Sequence, residues 1–179
     1  FNGGIVMAIN FDTSVLGLQK SNGDLLPRII QYKETTTTDW ITKTSGQYVS
    51  EFDCDIAPKH ASSHILLIAN ICIGADTNAD LGVVFTRLIS GGSVSNLSDS
   101  MGTSASSVNA SIVTGMNIDN AHACHYTGWH VDHPNTTSTV TYGIRAYPNG
   151  ARTMYINRRG IDTTYTGRSR LVLLEIGDI

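Results

Sequence analysis

The run from His64 to Gly74, HILLIANICIG, constrains this chain more than any other stretch, because branched and aliphatic residues follow one another with almost no polar relief. It is too short to cross a bilayer as a helix, which takes about 20 apolar residues. It has no helical caps and is rich in β-branched residues, so it reads as a strand with apolar side chains on both faces. Successive side chains of a strand alternate. Ile65, Leu67, Ala69, Ile71 and Ile73 therefore point one way, and Leu66, Ile68, Asn70 and Cys72 the other. A strand with two apolar faces needs two covering partners.

The closing run LVLLEI has the same property, with Leu171, Leu173 and Glu175 alternating against Val172, Leu174 and Ile176. LGVVFTRLI, residues 81–89, is a third mostly apolar strand. Between such runs lie turn-rich pieces, and short strands at regular spacing with turns between them indicate a sandwich or barrel. Pro148-Asn149-Gly150, between TTSTVTYGIRAYP and TMYINRRG, predicts a hairpin. In QYVSEFDCDI the core parity is expected to carry Tyr48, Phe52, Cys54 and Ile56. The other parity carries Glu51, Asp53 and Asp55, a row of carboxylates best read as a solvated strand face.

At 179 residues with 41% hydrophobic side chains the chain can bury one real core, and its 15% charged residues leave Ser, Thr, Asn and Gly as the polar surface. That mixture suits strands and turns rather than helices or disorder. A net charge of −3 gives no footprint for nucleic acid. No polybasic run or transmembrane span suggests membrane insertion. Cys54, Cys72 and Cys124 are too few and scattered for a disulfide framework and are expected as small buried hydrophobes. Residues 1–33 contain no periodic segment and read as an extended N-terminal arm, followed by one domain over residues 34–179. The first residue, Phe1, is compatible with a cleaved product or a part of something longer.

Two segments bear on function. SGGSVSNLSDSMGTSASSVNAS, within residues 90–111, is a long polar connection of the kind that carries binding surfaces on β scaffolds, or else a passive loop holding one weak strand. AHACHYTGWHVDHP holds four of the six histidines. Alternation sets His122, Cys124, Tyr126, Gly128, His130 and Asp132 on one face and His125, Thr127, Trp129 and Val131 on the other. Such a face offers nitrogen, sulfur and carboxylate ligands for zinc or iron. No HExxH or other catalytic spacing accompanies it, so strand histidines without a metal role are the expectation. No catalytic residue, cofactor or metal ligand is therefore assigned, and the receptor-binding residues stay unknown. The triplets starting at Asn96, Asn109 and Asn135 match the glycosylation pattern, as short triplets readily do in a chain this rich in Asn, Ser and Thr.

Four pieces in order carry a family resemblance: PRIIQYKETTTTDW, SSHILLIANICIG, WHVDHPNTTSTVTYGIRA and MYINRRGIDTTYTGRSRLVLLEI. Together they resemble the C-terminal module of phage tail-fibre and other virion structural proteins, over roughly residues 28 to 179. The histidine-rich segment departs from that family pattern. The resemblance implies an all-β fold, an antiparallel jelly-roll β-sandwich that is trimeric. It also implies a place on the virion surface, as a tail or capsid appendage. The implied role is a non-enzymatic fibre or spike module presenting loops to a host glycan or outer-membrane receptor, with residues 1–33 joining other virion proteins. A capsid decoration or cement protein is the alternative. A polysaccharide-degrading tail enzyme is disfavoured, since glycoside hydrolysis needs two carboxylates about 5 to 10 Å apart and the acids here are spread singly.

Overall fold

The computed structural model describes residues 28–77, 81–101, 112, 119–148 and 150–177. Their regular structure is almost entirely extended: β1 (Arg28–Thr37), β2 (Ile41–Lys43), β3 (Gln47–Ile56), β4 (His64–Ala75), β5 (Leu81–Ile89), β6 (Ser95–Asn96), β7 (Ala123–Asp132), β8 (Val140–Pro148), β9 (Met154–Ile156) and β10 (Ser169–Gly177), with one 3-10 turn, η1 (Ser98–Ser100). No helix among the described residues is long and apolar enough to cross a membrane.

The strands form two antiparallel sheets. One runs β1-β10-β4-β9-β2, with β7 also paired to β4, and the other runs β3-β8-β5-β6. Leaving aside the short β2 and β9, the chain pairs first with last, β1 with β10, then β3 with β8, β4 with β7 and β5 with β6. A long double ribbon folded over on itself gives this order, and it is the order of a jelly roll. The expected antiparallel sandwich is therefore what the chain forms.

The core lies between the sheets. Ile65, Leu67, Ala69, Ile71 and Ile73 of β4 and Leu171 and Leu173 of β10 meet Phe52, Val83, Phe85, Tyr142 and Ile144 of the other sheet, all fully buried. Each of the Val, Leu, Ile and Phe side chains among them contributes about 1.5–3 kcal/mol by leaving water. The parity read from the sequence for β4 is thus the observed one, with Leu66, Ile68 and Asn70 half-buried on the outer face.

Four expectations need correction. The boundary placed after residue 33 falls inside β1, whose residues 28–33 pair with β10; residues 1–27 of the expected arm lie outside the described residues. In β3 a register shift between Val49 and Cys54 changes the parity. Val49 is buried, while Tyr48 is only half-buried and its hydroxyl donates to Asp53 across the outer side. The predicted hairpin does not form: β8 already has β3 and β5 on its two sides, so β9 crosses over to pair with β2 and β4. Finally, Cys54 and Cys72 are buried but Cys124 is exposed.

Along one edge of β4, β10 covers residues His64 to Asn70 and β9 takes over at Ile73. Cys72 lies at this seam with no ladder partner on that side. Asn157, at φ 65, supplies one: its N–H donates to the Cys72 carbonyl at 2.9 Å, and the Cys72 N–H donates to Ser169 Oγ at 2.9 Å. Ser169 in turn donates to Asn157 Oδ1 at 2.6 Å, and Asn157 Nδ2 donates to the Thr37 and Asp39 carbonyls at 3.0 Å each. Every hydrogen-bonding group of the Asn157 amide is satisfied in a buried setting.

Candidate functional site

Two surfaces of the sandwich stand out, one apolar and one polar. The apolar one is the outer face of the six-stranded sheet. Directly opposed residues of an antiparallel pair share a face. Tyr32, Leu174, Leu66 and Val131 therefore form one row across β1, β10, β4 and β7, and Glu34, Val172, Ile68 and Trp129 form the next. Ile29 and Ile176 begin a third row. Trp129 is 71% exposed, Ile29 61% and Tyr32 52%, while the aliphatic residues between them are half-buried. By contrast Val84, on the outward side of β5, is fully buried within the chain. Of the apolar strands noted in the sequence, β5 finds both its covers at home, whereas β4 and β10 keep one face partly open.

The polar surface is at the end of the sandwich where β7 stops. Asp132, on the inner parity of β7, crosses to the other sheet. It accepts two bonds from Arg87 Nη1 of β5 at 2.8 and 2.9 Å, and one from the Tyr142 hydroxyl of β8 at 2.6 Å. Burial, then the bond to Asp132, raises the Tyr142 phenol far above its ordinary range, so it stays a donor at every working pH. The carboxylate is nearly inaccessible, with 4% of its side chain exposed against 28% for Arg87. Removing one member would leave an uncompensated polar partner.

Beside this clamp opens a cavity of about 290 Å³, lined among others by Arg87, Asn96, Ser98, Asp99, Asp132 and His133. β6 and η1 form its rim. Asn96 Nδ2 donates to the Tyr147 hydroxyl at 3.0 Å. Its Oδ1 is buried and has no partner among the described residues. The same holds for His130 Nε2. Asp99 Oδ1 of η1 approaches that nitrogen to 3.5 Å.

The histidine-rich face is only partly assembled. His130 and Asp132 converge with Asp99, all offering ligand atoms within 4.8 Å of one another. His122 instead pairs with Asp119 at 2.6 Å near the surface, and Cys124 is exposed. Tyr126 packs against the core, where burial and then Cys124 push its phenol up to about 12. Gly128 leaves room for Ile112, which a Cβ would meet at 2.8 Å. On the other parity His125 shares a 2.8 Å hydrogen bond with Asn70 Oδ1. Asp99 was missed from sequence, because a Ser/Asp turn inside a Ser-rich connection signals a local bend and not what the bend lies against. The acidic row on β3 is not brought together. Asp53 takes the Tyr48 hydroxyl, Asp55 takes that of Thr141 at 2.6 Å, and Glu51 lies 3.9 Å from Lys43. β6 is the weak strand expected inside the long connection, whose residues 102–111 lie outside the described residues.

No family model matches the sequence, and no curated protein matches it. Among solved structures, the chain is similar to the infectious bursal disease virus VP2 subviral particle, at 8% identity and TM-score 0.42, over 94% of this chain and 43% of that one. Similar values hold for the infectious bursal disease virus Gx strain structure, at 11% identity and TM-score 0.38, over 94% and 43%. A mutant VP2 protein of that virus in derived T=1 particles gives 12% identity and TM-score 0.40, over 97% and 41%. The chain spans less than half the length of each. At these values no residue here takes a role from the match.

Proposed function

We propose that this chain is a non-enzymatic structural module of a virus particle, a phage tail or capsid appendage. In this reading it trimerises through the outer face of the six-stranded sheet and presents its loops toward a host glycan or outer-membrane component. The observation that carries the reading is the apolar face running from Tyr32 through Leu174 and Leu66 to Val131, flanked by the exposed Trp129 and Ile29. A contiguous exposed apolar patch bounded by polar residues marks an interaction surface. The jelly-roll strand order and the ordered sequence motifs of virion appendage proteins support the same reading. Of the expected arm, residues 1–27 are proposed as the attachment to other virion proteins, while residues 28–33 belong to β1 of the sandwich.

The two parities of β4 give the test. Leu67 is fully buried in the core, and Leu66 lies on the outer face between Leu174 and Val131. Replacing Leu67 by Asp is expected to abolish folding, since an unpaired charge in the core costs more than a domain of this size can bear. Replacing Leu66 by Asp is expected to keep the strand-rich circular dichroism and to convert a sedimenting trimer to monomers. A wild-type chain that sediments as a monomer at all concentrations would remove the assembly reading. Failure of the trimer to bind susceptible cells would move the protein to the decorating, non-adhesive role.

A further inference from the structure

The end of β7 carries a second chemistry that the assembly reading does not use. His130 Nε2 is wholly buried without a hydrogen-bond partner among the described residues, in a side chain only 14% exposed. A ring nitrogen left so is unfavourable unless a partner meets it, and in the Nε2-unprotonated tautomer a metal ion can be that partner. The nearest charged atom, Asp99 Oδ1, is 3.5 Å away, too distant for a good hydrogen bond. Asp132 completes a set whose ligand atoms all lie within 4.8 Å of one another. We infer that Asp99, His130 and Asp132 hold a divalent transition-metal ion of the zinc class.

The donor set selects the ion. One imidazole and two carboxylates suit zinc and its neighbours, whereas calcium and magnesium take oxygen ligands alone. Zinc needs each ligand at about 2.0–2.2 Å, so the three atoms must draw together slightly. Asp99 can supply that movement, because it belongs to a short 3-10 turn and its side chain is 66% exposed. Asp132 is already oriented by Arg87 and Tyr142, which together engage three of its roughly four lone-pair directions and leave one for the ion. Fixing a ligating carboxylate by such outer hydrogen bonds is what metal sites require. The positive charge of Arg87 works against binding and makes the site weaker than one without it.

Three ligands leave at least one coordination position, and two of the three, Asp99 and Asp132, line the cavity of about 290 Å³. The ion would tie η1, which follows the edge strand β6 of one sheet, to the last residues of strand β7 in the other. It is therefore an inter-sheet clasp at the rim of a polar cavity.

The test uses the full chain, freed of any affinity tag and stripped with chelator, then titrated with Co²⁺ as a spectroscopic probe and with Zn²⁺ by calorimetry. One equivalent is expected to bind, with visible d–d absorption and a zinc-dependent rise in melting temperature. His130→Gln and Asp99→Asn are each expected to weaken binding at least tenfold while leaving the circular dichroism of the apo chain unchanged. A His122→Ala/His125→Ala double variant is expected to bind as the wild type does. No stoichiometric binding, binding unaltered in His130→Gln, or binding lost in the double variant would each overturn the site. Sedimentation of the same variants reads assembly separately, so failure of one proposal is not failure of the other.

Discussion

The Asn157 network and the cluster around Asp132 handle buried polar groups in opposite ways. At the seam between β10 and β9, the Asn157 amide, Ser169 and the backbone of Cys72, Thr37 and Asp39 close into a network in which every Asn157 donor and acceptor is used. Around Asp132, which pairs with Ile65, the Arg87–Asp132–Tyr142 clamp is complete, but buried atoms of Asn96, His130 and His64 have no partner among the described residues. Cys72 lies seven residue steps along β4 from Ile65, roughly 23 Å of strand. A closed polar network adds rigidity and fixes one arrangement. An incompletely satisfied one is where a ligand can still act. In the proposed reading the Asn157 network is scaffold and the cluster around Asp132 is where an ion would act.

The largest effect that would break this contrast is expected at the Asn157 network. Asn157→Leu strands the Thr37 and Asp39 carbonyls and the Ser169 hydroxyl, and places a branched side chain at φ 65. A loss of about 4 kcal/mol is expected in urea unfolding. A loss below about 1 kcal/mol would mean that water can replace the network and that the two clusters are alike.

Next in size is the clamp. Asp132→Leu leaves Arg87 and the Tyr142 hydroxyl without their acceptor and is expected to cost about 3 kcal/mol. Adding Arg87→Met should recover part of that loss, because removing both members of an ion pair is cheaper than removing one. A double variant as unstable as the single one would show that Tyr142, not Arg87, dominates.

The smallest effect is a pH dependence. Glu175 pairs with Ile65 and is fully buried. Burial acts to raise its carboxyl, but the nearby Ser63 hydroxyl, Gln31 Nε2 at 2.6 Å and the Lys59 N–H at 2.7 Å outweigh this and hold it below its ordinary value. A carboxyl depressed in the native state binds its proton first when unfolded. Its contribution is complete above the ordinary value of 4.5 and is lost as pH falls through the lower native one. The stability of Glu175→Gln, followed by urea unfolding from pH 6 downward, is expected to fall less steeply than that of the wild type. The Asn157 network contains no titrating group and should not contribute to the difference.

Much of the scaffold was legible in the sequence because period-two alternation survives wherever a strand is straight. HILLIANICIG and LVLLEI were assigned to the right parities, and so was the segment that became β7. The register shift in β3 was not legible, since the three residues by which β3 outruns β8 between Val49 and Cys54 leave no mark in composition while moving Tyr48 outward. Nor was the fate of Pro148-Asn149-Gly150. Turn chemistry reverses a chain, but which strand it then meets depends on which edges are free, and β3 and β5 had already filled both edges of β8. At the candidate site, alternation placed His130 and Asp132 together. Asp99 and Arg87 arrive from separate strands and turns, and only the fold brings them there. Asn157 and Ser169 lie in INRRG and GRSRLVL, twelve residues apart, with no local reason to be paired.

The pairing of the first described strand with the last has a consequence for how such a module is carried. Arg28 and Gly177 are partners in the ladder, and partners across an antiparallel ladder lie about 5 Å apart. The sandwich is thus entered and left through a single doorway. A host protein could receive it as an insert in one surface loop with almost no stretching of its own backbone. A short peptide joining the two points would equally turn the domain into a closed ring that could be cut open elsewhere. That geometry makes the sandwich a cassette, transferable between larger chains with its packing intact.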